Sequence, residues 1–249
     1  MLILSLEYTY ILLMFNFLKR NNNTVPSTNS FTTNKAERDN LCEEIISSSS
    51  LKAGFYLLLV LSTFIVTVGL LKNNLILVIG GMLVAPLLSP ILSISLSITI
   101  VNLKVFLRSI RIFIISALIS LFVSYILGLI AKFSLDQIDL VASFQVLDMT
   151  VFLIPVAAGA AASFTWVKKD LNSSLPGVAI TATLLPPLTV MGLSLAVGNF
   201  FVLESSFSIY MFNVLGIILG SLIVFVMMGF KKSAKKVIQQ VKLEDKINH

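Results

Sequence analysis

The chain has 249 residues, of which 57% are hydrophobic and only 12% are charged. Globular domains are closer to a quarter charged, and several apolar runs here exceed about 18 residues, the length that predicts a membrane-spanning helix. This composition excludes an ordinary soluble domain and indicates one integral membrane domain. The net charge of +6 is not a nucleic-acid footprint, because most of the positive charge flanks the apolar runs.

The scarcity of cysteine and histidine excludes most familiar enzyme chemistries. Cys42 is the one cysteine and His249 the one histidine, so no intramolecular disulfide, Cys/His metal set or histidine base can form. No glycine-rich phosphate loop is present, and the best remaining enzyme case is lipid modification by Asp136, Asp139 or Asp148. We therefore predict a protein that is not an enzyme and that uses no metal and no cofactor.

Residues 1–53 are predicted to form a cytoplasmic N-terminal segment. Residues 1–18 are apolar but short, and a basic pair follows them, which is the reverse of a signal peptide. They fit an interfacial helix, a weak anchor or, as we favour, an extension upstream of a protein that begins at Met14. Residues 20–35 have the composition of a disordered linker. Residues 36–52 fit an amphipathic helix before the membrane, or a merely solvated one.

Residues 54–230 are predicted to form a transmembrane domain of six helices. The apolar runs place these spans at about 54–71, 75–100, 112–131, 149–167, 175–197 and 207–230. With both chain ends, the 2–3 loop and the 4–5 loop on one side, that side holds all but two of the 18 Lys and Arg residues. The positive-inside rule then places both ends in the cytoplasm.

Residues 231–249 are predicted to be a basic cytoplasmic tail, either lying on an anionic leaflet or forming a soluble helix. The expected location is the cell (inner) membrane, with several passes. Membrane lipid is an expected partner, and nucleic acid is not.

Two stretches within the predicted spans resemble each other at an offset of 97 residues. Residues 80–97 align with residues 177–194, and about seven positions match, among them Pro90 with Pro187. Proline removes a backbone donor and obstructs the preceding turn, so we predict that both the second and the fifth helix are broken. Three spans per half is an odd number, so the halves would form a 3+3 inverted repeat. The alternative is a chance likeness between two proline-bearing apolar segments.

The two proline stretches are the candidate binding site for a small solute or ion. Helices that restart after Pro90 and Pro187 present N–H groups that suit an anion or a dipolar headgroup, and the carbonyls before these prolines suit a cation. The alternative is structural, because Ser and Thr in spans often bond their own helix and proline can simply kink one. The candidate substrate-binding residues are Ala85, Pro86, Ser89, Pro90, Ser93, Thr181, Thr183, Pro186, Pro187, Thr189 and Asn213.

Other residues within the spans predict helix packing. Asn213 is expected to bond another helix or, alternatively, to line the pathway. The small residues Ala157 to Ser163 predict a packing face, with a pore lining as the alternative. Gly216 and Gly220 fit close packing within the chain or a homo-oligomer. No charged residue lies in the middle of a predicted span, which disfavours a proton pump, and Asp148 is best explained as a helix cap.

Four motifs resemble a known family of prokaryotic membrane proteins. They are Gly-Met-Leu-Val-Ala-Pro-Leu at 81–87, Ala-Gly-Ala-Ala at 158–161, Leu-Pro-Pro-Leu at 185–188, and Asn213. The family is that of the uncharacterised hydrophobic-domain proteins, domain of unknown function number 389, and the resemblance covers about residues 54–230. It implies a membrane fold and leaves the chemistry open.

The function that these features favour is movement of a small solute or ion past the two broken helices. A facilitator, a sodium-coupled carrier, a channel and a lipid transporter all fit. The alternative is a non-transporting membrane scaffold whose cytoplasmic ends bind partners. A carrier predicts a polar cavity near mid-membrane, whereas a scaffold predicts tightly packed breaks.

Overall fold

The computed structural model describes residues 53–131, 149–167 and 174–230, with side chains for all of these except 149–151 and 174–182. The described residues form helices joined by turns, and all of them belong to one compact unit. The helices are α1 Ala53–Leu71, α2 Leu75–Val84, α3 Leu88–Thr99, α4 Leu103–Ala131, α5 Met149–Val167, α6 Ser174–Val197 and α7 Phe200–Met227. The described part of the chain is therefore all-α.

Some sequence predictions fall outside the described residues. These are the N-terminal segment with its start at Met14, the acidic loop with Asp136, Asp139 and Asp148, and the basic tail.

Three helices, α1, α4 and α7, are long and apolar enough to cross a membrane. Helices α2 and α3 count as a fourth candidate span if the bent pair is one crossing. The fully described parts of α5 and α6, Phe152–Val167 and Thr183–Val197, are shorter apolar helices. The described chain thus contains three to four candidate membrane spans.

Apolar side chains cover the outside of these helices, while hydroxyl groups lie inside. On α4, Phe122 is 60% exposed and Ile130 is 71% exposed, whereas Ser116, Ser120 and Ser124 on the same helix are completely buried. Soluble monomers rarely expose large contiguous apolar patches. In lipid the distribution is expected, because small and hydroxyl-bearing residues allow helices to approach and to bond each other. The described helices are therefore compatible with a membrane protein.

The proline-bearing helices α3 and α6 lie in the core. Every residue from Pro90 to Ser97 in α3 and from Leu184 to Ser194 in α6 is buried. A helix that is buried all round belongs to the interior of a bundle. Helix α3 packs against α4 and α7, and α6 packs against α4, α5 and α7 as well as α1 and α2.

The predicted starts of the third and sixth spans, at 112 and 207, are wrong. Helix α4 begins at Leu103 and α7 at Phe200, so segments predicted to be polar loops are helical. The physical reason is N-capping by an asparagine immediately before each helix. A side-chain oxygen at this position satisfies an N–H group that has no partner within the helix, which allows the helix to start among charged residues.

The turns that carry these two asparagines have the same geometry. In each, the asparagine N–H donates to a serine carbonyl, at 3.1 and 3.0 Å, and the asparagine Oδ1 accepts from the N–H of a valine, at 3.1 and 3.2 Å. The residue before the asparagine has a positive φ in both turns, 54° and 77°. The matched residues are Ser97 and Ser194, Val101 and Gly198, Asn102 and Asn199, and Val105 and Val202. Each pair is separated by the same offset of 97 residues.

Small residues bring α5 and α7 into close contact. A Cβ added to Gly216 would lie 2.9 Å from Cβ of Pro155, and one added to Gly159 would meet the backbone of Ile217. Ser221 Oγ donates a hydrogen bond to the Gly159 carbonyl at 3.1 Å. The prediction that the small residues of α5 form a packing face is confirmed. Since Gly216 is used inside the chain, it offers no support for a homo-oligomer.

Candidate functional site at the proline-bearing helices

The second predicted span is broken between α2 and α3. The chain leaves α2 at Val84 and enters α3 at Leu88, and the two helices are bent by 53°. Ala85 has an extended backbone, with φ −70° and ψ 125°, because the ring of the following Pro86 disfavours a helical conformation there. The Ala85 N–H donates to the Met82 carbonyl at 3.3 Å and closes α2. The predicted break in the second span is confirmed.

Pro90 lies in the first turn of α3, where it removes no helical hydrogen bond. N–H groups in the first turn have no partner within any helix, so a proline is tolerated there. Leu87, at the N-cap position, makes no side-chain cap to the first turn of α3. Pro86 and Ser89 are half-buried, whereas Pro90 is buried. At the break, the start of α3 therefore lies beside residues that are partly accessible.

Beyond its first turn, α3 directs hydroxyls to neighbouring helices. The Ser93 and Ser109 hydroxyl oxygens lie 2.7 Å apart, which links α3 to α4. Ser95 Oγ donates to the Ile91 carbonyl at 3.2 Å and to the Ile218 carbonyl on α7 at 3.4 Å. Ser93 thus has a packing partner in this conformation.

The predicted break in the fifth span is wrong. Helix α6 runs without interruption from Ser174 to Val197 and contains both Pro186 and Pro187. Two side chains stabilise the region of the prolines. Thr189 Oγ1 donates to the Pro186 carbonyl at 2.8 Å, and the second contact comes from α7.

Asn213 on α7 supplies that second contact. Its Nδ2 donates to the Thr183 carbonyl at 2.5 Å. Thr183 is four residues before Pro187, so this carbonyl is the one that Pro187 cannot serve with an N–H. The prediction that Asn213 bonds another helix is confirmed.

The structure sorts the candidate residues into buried and accessible groups. The half-buried ones are Pro86, Ser89 and Thr183. The buried ones are Ala85, Pro90, Ser93, Pro186, Pro187, Thr189 and Asn213. Thr181 lies in α6, and its side chain is outside the described set.

Sequence reasoning missed Ser109 and Ser95, which bond across helices, and the two capping residues Asn102 and Asn199. The two capping residues could have been found from the sequence. When the alignment of residues 80–97 with residues 177–194 is extended by five residues, Asn102 pairs with Asn199.

The polar groups near the prolines are hydroxyls, backbone groups and one amide. Among the described residues no group of three or more His, Cys, Asp or Glu side chains could hold a metal ion. Charged side chains in this part of the chain lie near helix ends, with Lys104, Arg108 and Arg111 in the first third of α4 and Glu204 early in α7. Such a site can bind through hydrogen bonds and backbone dipoles.

Comparison with known proteins places the chain in a family without an assigned activity. The chain is 36% identical over 172 residues to an uncharacterised protein of Methanocaldococcus jannaschii, an alignment that covers 68% of this chain and 52% of that protein. The chain therefore spans about half the length of the curated relative that it matches. No solved structure was found to match the chain.

The sequence model of a protein family matches residues 82–219, which include both proline stretches and the asparagine of α7. This match covers more than half of the chain. The chain therefore belongs to the family described as Domain of unknown function (DUF389).

Proposed function

We propose that the protein is a six-span transporter or channel-like protein of the cell (inner) membrane, with both chain ends in the cytoplasm. It moves a small solute or ion past the proline-bearing helices of a 3+3 inverted repeat. The observation that carries this proposal is the break between α2 and α3, a bent interruption in an apolar segment with half-buried Pro86 and Ser89 beside it. Proline-bearing apolar segments in corresponding positions of two halves are the best sequence pointer to a transporter site, and one of the two is interrupted here.

The helix positions support the repeat. Helices α1, α2–α3 and α4 begin at 53, 75 and 103, and helices α5, α6 and α7 begin at 149, 174 and 200. Each start in the second half is within two residues of the position expected from an offset of 97. The matched turns before α4 and α7 share the same offset, which goes well beyond a likeness of composition.

Contacts between the halves also occur in matched pairs. Ser95 on α3 bonds the Ile218 carbonyl on α7, and Gly192 on α6 lies where an added Cβ would be 2.7 Å from the Leu121 carbonyl on α4. At the offset of 97, Ser95 corresponds to Gly192 and Leu121 corresponds to Ile218. If a two-fold axis relates the halves, a contact between Ser95 and Ile218 requires a matching contact between Gly192 and Leu121.

Helix directions support alternating crossings. Phe152 and Phe212 have ring centroids 6.4 Å apart, and further along both helices Ser221 bonds Gly159. Helices α5 and α7 therefore run in the same direction, as a fourth and a sixth span must. The helix start that follows Asn102 carries basic residues and the one that follows Asn199 carries Glu204, which fits cytoplasmic and outer sides respectively.

The chemistry of the break indicates how a solute would be held. The uncapped start of α3 favours an anion or a dipolar headgroup, and carbonyls at the end of α2 favour a cation. Hydroxyls such as Ser89 and Thr183 can serve either class. Facilitator, sodium-coupled carrier, channel and lipid transporter remain the forms that the proposal covers, with membrane lipid and the solute as partners.

Cysteine accessibility tests the proposal. In a Cys42→Ser background, single cysteines replace Ser89, Ser93, Thr183 and Thr189, and a small water-soluble thiol reagent is applied to intact membranes. We expect cysteines at the half-buried positions Ser89 and Thr183 to react at least ten times faster than those at the buried positions Ser93 and Thr189. The two buried positions are matched controls, because they lie within two turns of the accessible ones.

Protection by a solute then identifies the class that is carried. A panel of anions, cations and zwitterions is added before the reagent, and flux of any protecting solute is measured in liposomes. If all four cysteines stay unlabelled while loop cysteines react, water does not reach the proline stretches and the transport proposal is abandoned.

A non-transporting scaffold is the second candidate, and tight packing favours it. Residues 184–194 of α6 are all buried, and Ser93 and Thr189 have protein partners. A scaffold is expected to leave all four cysteines unlabelled in the cysteine experiment, with or without a solute. Cross-linking from the two cytoplasmic ends would then identify its partners.

A further inference from the structure

One side-chain amide takes the place of a backbone hydrogen bond that Pro187 removes. In an unbroken helix the Thr183 carbonyl would accept from the N–H of residue 187, which proline lacks. Here Asn213 donates to that carbonyl from α7. Helix α6 remains continuous through both prolines.

The first half contains the same proline without the amide. At the offset of 97, the counterparts of Thr183, Pro187 and Asn213 are, in that order, Pro86, Pro90 and Ser116. Ser116 Oγ donates to the Ile112 carbonyl of its own helix at 2.8 Å. In this half the chain leaves the helical conformation at residues 85–87 and bends by 53°. The two copies of the motif therefore differ in the residue on the third helix, in Pro86 where the second copy has Thr183, and in the shape of the second helix.

We propose that the hydrogen bond from Asn213 to Thr183 is a latch that keeps α6 continuous. When the latch opens, α6 bends about one turn before Pro187, at the residues that match the break at 85–87. The bent first half is the open form of the motif, and the continuous second half is its latched form. The latch concerns the shape of α6 alone and holds whatever solute, if any, the protein moves.

The environment explains why one amide can decide the shape. In hydrocarbon no water competes for the Thr183 carbonyl, so the carbonyl must be satisfied by protein or by water in a cavity. Proline sterically opposes the straight conformation, and kinks in long helices are commonly found at proline. A donor on the neighbouring helix bonds the carbonyl in the continuous form, whereas a serine can bond its own helix and so withdraw this donor from the carbonyl.

Distance measurement between spin labels tests the latch on the full chain. The chain carries Cys42→Ser, with cysteines replacing Ser174 and Val197 at the two ends of α6, and it is reconstituted into lipid bilayers. A straight helix of this length rises about 1.5 Å per residue, so a bend of 53° at its middle shortens the end-to-end distance by about 3–4 Å. We expect Asn213→Ser to produce this shortening or to add a population with it. An unchanged distance in the folded variant would overturn the proposal.

Ser221→Ala is the matched control. Ser221 lies on the same helix as Asn213 and also donates to a backbone carbonyl, but that carbonyl belongs to Gly159 on α5. Ser221→Ala also removes a hydrogen bond inside the protein, but this bond is made to α5 and not to α6. The α6 distance should stay at its wild-type value in this variant. If both variants shorten it equally, general loosening explains the result and the latch is wrong.

The reciprocal variant keeps the test decisive if Asn213→Ser does not fold. The double variant Pro86→Thr, Ser116→Asn gives the first half the residues that the second half has at these two positions, with labels replacing Ile76 on α2 and Ile98 on α3, both of which are exposed. We expect a new or enlarged population in which this distance is about 3 Å longer, because α2 and α3 become straighter. A folded double variant with the wild-type distance would contradict the role of the amide.

Discussion

Val101 and Gly198 occupy the same place in two matching turns and differ in how well they suit it. Both have a positive φ, 54° and 77°. Glycine adopts this region readily, whereas a β-branched residue is strained there. Val101 is 80% exposed, so its side chain gains little burial in compensation. The strain at Val101 is therefore expected to lower the stability of the protein.

Exchanging these two residue types tests that expectation. Val101→Gly should raise the free energy of unfolding by about 1 kcal/mol, and Gly198→Val should lower it by about 1–2 kcal/mol. Equilibrium unfolding in mixed micelles measures both. Leu107→Gly is the control, because Leu107 is also exposed but lies in the second turn of α4, where glycine is destabilising. If Val101→Gly lowers the free energy of unfolding as much as Leu107→Gly does, Val101 is not strained.

Ser206 shows where the two halves differ at single residues. It is completely buried, and its hydroxyl has no hydrogen-bond partner among the described residues. Its counterpart in the first half, Ser109, pairs with Ser93. The counterpart of Ser93 is Val190, so an aliphatic side chain stands where the first half has a hydroxyl. Residues matched at the offset of 97 thus make different polar contacts.

At the scale of whole elements, the apolar runs predicted where most helices lie. The predicted first and fourth spans match α1 and α5, and the second contains its break. The starts of α4 and α7 were missed because Lys104 and Glu204 resemble loop residues to a method based on hydropathy. The capping asparagines outweigh these charges locally, and a cap is a single residue that an average over a window does not register.

The continuity of α6 could not have been predicted from α6 itself. Two adjacent prolines predict a break, and the donor that bonds the carbonyl left by Pro187 comes from Asn213, thirty residues away on another helix. That contact depends on how α6 and α7 pack. The predicted residues were therefore mostly those near the prolines, whereas their partners emerged only with the tertiary structure.

The contact between α5 and α7 leads to a prediction about helix packing. A Cβ on Gly220 would lie against the Val156 carbonyl and 2.9 Å from the Ala160 backbone nitrogen, so the two helices would have to separate. We expect Gly220→Ala to lower the free energy of unfolding by about 1–3 kcal/mol, the range of overpacked cores.

Gly80→Ala is the control for this change. Nothing lies within 4 Å of a Cβ at Gly80, so the same substitution there should be neutral or slightly stabilising. Thermal unfolding in detergent distinguishes the two variants. Equal midpoints for both would show that the close approach at Gly220 is not part of the folded protein.

At the scale of the whole molecule, the charges and the matched turns make a prediction about orientation. In a Cys42→Ser chain, a cysteine replacing Val101 should face the cytoplasm and one replacing Phe200 should face the outside. Both positions are exposed, at 80% and 74%. A membrane-impermeant thiol reagent applied to intact cells should label only the cysteine at position 200.

Permeabilised cells supply the control for that experiment, since both cysteines should then react. Labelling of both positions in intact cells would place the two turns on one side and contradict the alternating six-span arrangement. Labelling of position 101 alone would keep that arrangement and reverse its orientation in the membrane.

The bonds that cross between the halves have a consequence for how the chain is made. A ribosome completes α3 and α4 long before α7 emerges, yet the Ser95 hydroxyl of α3 reaches a carbonyl of α7, and α6 packs against α4. Ser93 of α3 finds its partner Ser109 once α4 is made, but until synthesis nears its end the face of α3 that carries Ser95 lacks its partner on α7. A product truncated after α4 therefore cannot bury that face as the finished protein does. Membrane chaperones and proteases would be expected to recognise this truncated product as an incompletely folded protein.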